Sequence, residues 1–110
     1  MIDWKRVEEL RDEIGADGFM EVADMFLDEA EQAVTALRGG LPPDQLVGQL
    51  HFLKGSALNL GLSDLAAICH EGERQAAAGD SALVDTAKIA SVYQTSRARL
   101  LGRLEQLSAA

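Results

Sequence analysis

The sequence predicts an all-α fold. Its only two prolines stand side by side at positions 42 and 43, and Ala, Leu, Glu, Gln and Arg are abundant throughout. Apolar residues recur at spacings of three and four, the period of one helix face. With 110 residues, 47% of them hydrophobic, the chain suffices for a single domain, residues 1–110, around one modest core. The breaks between its helical runs are short, which predicts antiparallel neighbours. The expected architecture is an up-and-down antiparallel four-helix bundle with a short extra N-terminal helix.

Asp3 is placed to cap the first helix, Trp4 to Ile14, and Gly15 to stop it. In FMEVADMFLDEAEQAVTALR, residues Phe19, Val22, Ala23, Phe26, Leu27, Ala30, Val34 and Leu37 line one face of a second helix, ended by Gly39-Gly40. LPPDQ then breaks the chain, because Pro43 fits only the first turn of a helix and biases Pro42 toward an extended backbone. The third helix runs from there to about Asn59, with Gly61 beyond it. Ser63 is positioned to cap a fourth helix from Asp64 to about Ala78, closed by Gly79. Asp80 or Ser81 is expected to cap the last and longest helix. Its stripe reads Ile89, Tyr93, Leu100, Leu104 and Leu107, with Ser96 in one small place.

Charge and cysteine usage narrow the function classes. Residues 1–40 hold eleven acids against four bases, so they carry −7 of the net −8. An acidic surface repels phosphate backbones, which argues against nucleic acid as a partner. Cys69 is the only cysteine, so no intramolecular disulfide or zinc spacing exists, and a reducing, cytoplasmic setting is expected. No apolar run approaches the roughly 20 residues of a bilayer span, and MIDWKRVEEL contains no export signal, so no membrane role is expected.

The chemistry concentrates in QLHFLKGSALNLGL, residues 49–62. On a wheel of about 100° per residue with Leu50 at zero, Leu46, Leu50, Leu53, Ala57 and Leu60 centre near −40°, while His51 falls near +100° and projects to solvent. Its neighbours at i−3, i+3, i+4 and i+7 are Gly48, Lys54, Gly55 and Leu58. A glycine inside a helix costs about 0.5–1 kcal/mol relative to alanine, so two of them beside one exposed histidine point to clearance around the ring. Phe52, near −160°, is expected either to form a docking surface or to pack on the short first helix. A neutral imidazole can accept a phosphoryl group on a ring nitrogen. The product would carry roughly two negative charges, which a lysine one turn away offsets. No phosphate-binding loop, Walker lysine or magnesium-holding carboxylate cluster accompanies it, so the chain is expected to be a phosphocarrier and not an enzyme that binds ATP. A metal site from His51, Cys69, His70 and Glu73 would need a convergence that no helix spacing enforces. Cys69, on the stripe of Leu65, Ile68 and Gly72, reads as a small buried hydrophobe.

His51-Phe52-Leu53-Lys54-Gly55-Ser56, followed by Asn59-Leu60-Gly61, Leu65, Cys69, Glu73 and Gly79-Asp80, resembles the histidine-containing phosphotransfer (HPt) domain of multistep two-component phosphorelays. That family's motif, H-x-x-K-G-[SA], is matched in full, and the resemblance covers essentially the whole chain. It implies that His51 takes a phosphoryl group from one receiver-domain aspartate and passes it to another. By the same resemblance, Lys54 stabilises the phosphorylated ring and Gly55 makes room for the receiver. The implied partners are response-regulator receiver domains and a hybrid histidine kinase. No cofactor is implied for this chain, since magnesium would sit in the receiver's acidic pocket. With no kinase or receiver segment in the sequence, the expectation is a diffusible, monomeric intermediate. The candidate docking residues are Val47, Gly48, Phe52 and Leu58 on the third helix and Arg74 on the fourth. Some relatives bring a glutamine and an arginine from the fourth helix to the histidine. Here Glu73 and Ala77 stand in those places, with Arg74 as a partial replacement. The alternative expectation is a helical interaction module of the same fold that docks receivers or kinases without being phosphorylated.

Overall fold

The structure, a computed structural model, describes residues 2–109, and the side chains of residues 2–106. The described residues are helical throughout, with no strand: α1 (Trp4–Ile14), α2 (Ala16–Arg38), α3 (Pro43–Leu60), α4 (Ser63–Ala77), a 3-10 turn at Ser81–Leu83, and α5 (Thr86–Ala109). α3 packs against α2 and α4, and α5 against the same two helices from the other side, while α1 lies on α2 and α3. Helices of up to 24 residues, rising about 1.5 Å per residue, account for the elongated shape of 48 × 22 × 20 Å.

The core is the set of apolar stripes turned inward. α3 contributes Leu46, Leu50, Leu53, Ala57 and Leu60, all at least 94% buried, as the wheel requires. Tyr93 of α5 is fully buried, and its hydroxyl donates to the Leu27 carbonyl of α2 at 3.1 Å. This satisfies the one polar atom on the largest buried ring. Ser96 is buried in the small place of the α5 stripe; the Leu107 side chain lies outside the described residues.

Three helix starts differ from expectation, each for a local reason. α2 begins at Ala16, not near Phe19, because Gly15 at φ 80° turns the chain in a single residue between α1 and α2. α4 begins at Ser63 with Leu62 in the cap position and no side-chain cap bond. Burial of Leu62, which is 1% exposed, takes precedence over a hydroxyl cap there. Asp80 and Ser81 do not cap α5. They lead into the 3-10 turn, and Asp85 Oδ1 accepts the Lys88 amide at 3.0 Å instead.

The end of α3 is pinned to the start of α1. Gly61 closes α3 at φ 76°, where Leu62 N–H donates to Ala57 O and Gly61 N–H to Leu58 O. Asp3 N–H donates to Gly61 O at 2.7 Å, Arg6 Nε–H to Asn59 O at 3.2 Å, and Asp3 Oδ1 caps α1 through the Arg6 amide. A Cβ on residue 61 would lie 2.6 Å from Asp3 O. Gly61→Ala is therefore expected to destabilise the chain by at least about 1–3 kcal/mol, through left-handed strain plus that collision. Urea unfolding measures it, and an unchanged midpoint would contradict this account of the turn.

Candidate functional site

α3 carries the site on the face opposite its core stripe. The His51 side chain is 69% exposed, and Gly48 and Gly55 have nothing within 4 Å of where a Cβ would stand. Neither glycine is needed for packing, so the space they leave lies in front of the imidazole. Phe52 is 46% exposed, and the grooves beside it are lined from α2, by Glu29, Gln32 and Ala33 on one side and Phe26 on the other. The alternative in which it packs on α1 is not what the structure shows.

The polar side of the site comes from α4. Glu73 Oε1 lies 2.9 Å from His51 Nδ1, and Oε2 lies 2.7 Å from Lys54 Nζ. One carboxylate thus bridges the His51 and Lys54 side chains of α3. Its Oε2 is out of contact with solvent, and Lys54 and Glu73 are both four-fifths buried. The hydrogen bond from Lys54, followed by that from His51, holds the Glu73 carboxyl below its ordinary value of 4.5, against a burial effect in the other direction. An ionised carboxylate can only accept, so Nδ1 carries a proton, and it is Nε2 that holds the free lone pair whenever the ring is neutral.

Gly72, the residue before Glu73, is buried where α4 meets α3. A Cβ on Gly72 would stand 3.4 Å from Leu50 Cδ1 on α3 and from Val84 Cγ1 in the segment after the 3-10 turn. α4 therefore approaches α3 closely at the turn that carries His51. Beneath the bridge, burial pushes the Cys69 thiol up to about 12, with Glu73 adding to the rise. Cys69, wholly enclosed, stays a neutral thiol that packs.

The other candidate residues are distributed around this centre. Val47 is half-buried against the core, and Gly48 is exposed one turn before His51. Leu58, 57% exposed, lines a separate groove with Lys54, Ala66, Ala67 and His70. Arg74 does not stand in for the polar help from α4: its guanidinium is paired with Glu71 of its own helix, at 2.6 and 3.1 Å. The polar contact from α4 to His51 comes from Glu73. Among the described residues no group of His, Cys, Asp and Glu is arranged to hold a metal ion, and no helix is long and apolar enough to cross a membrane.

A protein-family model described as the Hpt domain matches residues 21–110, from the second turn of α2 to the last residue of the chain. Neither the curated proteins nor the solved structures searched contain a match.

Proposed function

The chain belongs to the Hpt domain family, whose members perform histidine phosphotransfer in phosphorelays, and from that premise we propose that His51 is the phosphoacceptor and Nε2 its reactive atom. The observation that carries this is the Nδ1 contact to Glu73 on a ring that is otherwise open to solvent. Neutral imidazole attacks the phosphorus of a receiver's aspartyl phosphate. The Nε2–P bond forms as the P–O bond to the aspartate breaks, and the carboxylate leaves with the electron pair. The ring is left as an imidazolium, with Nδ1–H still donating to the Glu73 carboxylate. Passing the group to a second receiver reverses these steps.

Lys54 is the cation nearest the new charge, and Gly55 leaves the approach to Nε2 clear. Magnesium belongs to the receiver's acidic pocket, and the carrier supplies no cofactor. The receiver docks on the exposed surface around the ring, where Val47, Gly48, Phe52, Leu58 and Arg74 are the candidate contacts, and a hybrid histidine kinase is the proposed head of the relay. α2 to α5 form the up-and-down antiparallel bundle, with α1 as the short extra helix, in one domain that works as a cytoplasmic monomer. The ring of helix contacts and the short connections support that arrangement.

The test is incubation with phosphorylated receiver domains. An acid-labile, alkali-stable label is expected on the parent, with a phosphorus-coupled Nε2 resonance in NMR spectra. No label with any receiver, or equal label on His51→Gln protein, would leave only the silent docking module.

A further inference from the structure

Phe52 stands as a ridge between two grooves. One, of about 480 Å³, is lined by Glu29, Gln32, Gln49 and Phe52 among others, and one of about 290 Å³ by Phe26, Glu29, His51, Phe52 and Gly55 among others. Glu29 of α2 is the one residue besides Phe52 that lines both, and the only Asp, Glu, Lys or Arg in either. It is half-buried and makes no ion pair or hydrogen bond among the described residues. A half-buried carboxylate between two grooves beside His51, paired with no cation among the described residues, is complementary to a cation from outside.

On the other side of His51 the charges balance, because Lys54, which lies toward α4, is paired with Glu73. The α2 side is acidic beyond Glu29 as well, since residues 1–40 hold nearly all of the net negative charge. A receiver whose acidic pocket covers His51 and Lys54 therefore has one favourable rotation about that axis, which places basic surface against α2.

Resting on the phosphotransfer reading above, we propose that Glu29 is a specificity-determining residue, which takes a lysine or arginine side chain of the docked receiver. The apolar stem of that side chain lies along Phe52 and its charged head meets the Glu29 carboxylate. Receivers carrying an acid at that position are disfavoured by like charge.

The test measures single-turnover transfer from the phosphorylated receiver that labels the parent fastest, over a range of receiver concentrations. The concentration for half-maximal rate is expected to rise about tenfold in Glu29→Lys and about threefold in Glu29→Gln, with the plateau rate within about twofold of the parent. Added salt should raise it in the parent more than in Glu29→Gln. Glu13→Lys, the same charge change on α1, should leave it in place. Circular dichroism checks folding, and the isosteric Glu29→Gln decides the matter if the lysine variant does not fold. Half-saturation unchanged in Glu29→Gln, or shifted equally by Glu13→Lys, would overturn the assignment of Glu29 while leaving the phosphocarrier intact. A parent that no receiver labels removes both.

Discussion

Gly55→Gln is expected to slow phosphoryl transfer by about 100-fold or more, because displacing the reacting atoms by about 1 Å can already cost that much. The same change should stabilise the chain. A Cβ at position 55 meets nothing within 4 Å, so glutamine collides with no part of the fold and replaces glycine with a residue favoured in helix interiors by roughly 0.5–1 kcal/mol. Transfer and stability thus move in opposite directions, which a general structural defect would not produce. Gly61→Ala is the counterexample at the end of the same helix, since there the added methyl meets backbone. Single-turnover transfer against a thermal melt separates the two effects. A Gly55→Gln protein that melts a few degrees higher and transfers at the parent's rate would show that the open space is not used by the partner.

The register of α3 was legible because helical geometry converts spacing directly into direction. Leu46, Leu50, Leu53, Ala57 and Leu60 define the buried side by their apolarity, so His51, Gly48 and Gly55 follow from arithmetic. Glu73 cannot be placed against His51 by the same arithmetic. Its spacing from His51 crosses a chain reversal, and the distance between the two depends on how closely α4 approaches α3. Gly72 lies where the two helices meet, and nothing in the local pattern marks it as a contact with Leu50 and Val84. Helix starts were misplaced where short-range signals competed, as with Ser63 against Leu62 and with Asp80, Ser81 and Asp85. In the first case burial decided the outcome, which a cap rule does not contain. Arg74 failed as a substitute because Glu71, three residues earlier on the same helix, is closer at hand.

Glu73→Ala is expected to lower the transfer rate by about 10–100-fold, by analogy with the loss of a carboxylate that orients a metal-bound imidazole. Two losses combine. Without an acceptor at Nδ1 the ring is free to place its proton on Nε2, where it blocks attack, and the imidazolium formed on phosphorylation has lost its counter-charge. Glutamine separates them. Its amide oxygen can still accept from Nδ1, so Glu73→Gln should retain the tautomer and lose only the charge, giving a rate between the parent's and that of alanine. Folding supplies an independent readout. Since the folded-state carboxyl lies below its ordinary value of 4.5, its contribution to stability is present above that pH and is lost as pH falls through the lowered folded-state value. Parent and Glu73→Gln should therefore differ in urea midpoint at neutral pH and converge in acid. A difference that persists to the lowest pH at which the chain folds would remove the ionised carboxylate from the account of stability, and an alanine variant that transfers at the parent's rate would make the bridge between His51 and Lys54 a bystander to transfer.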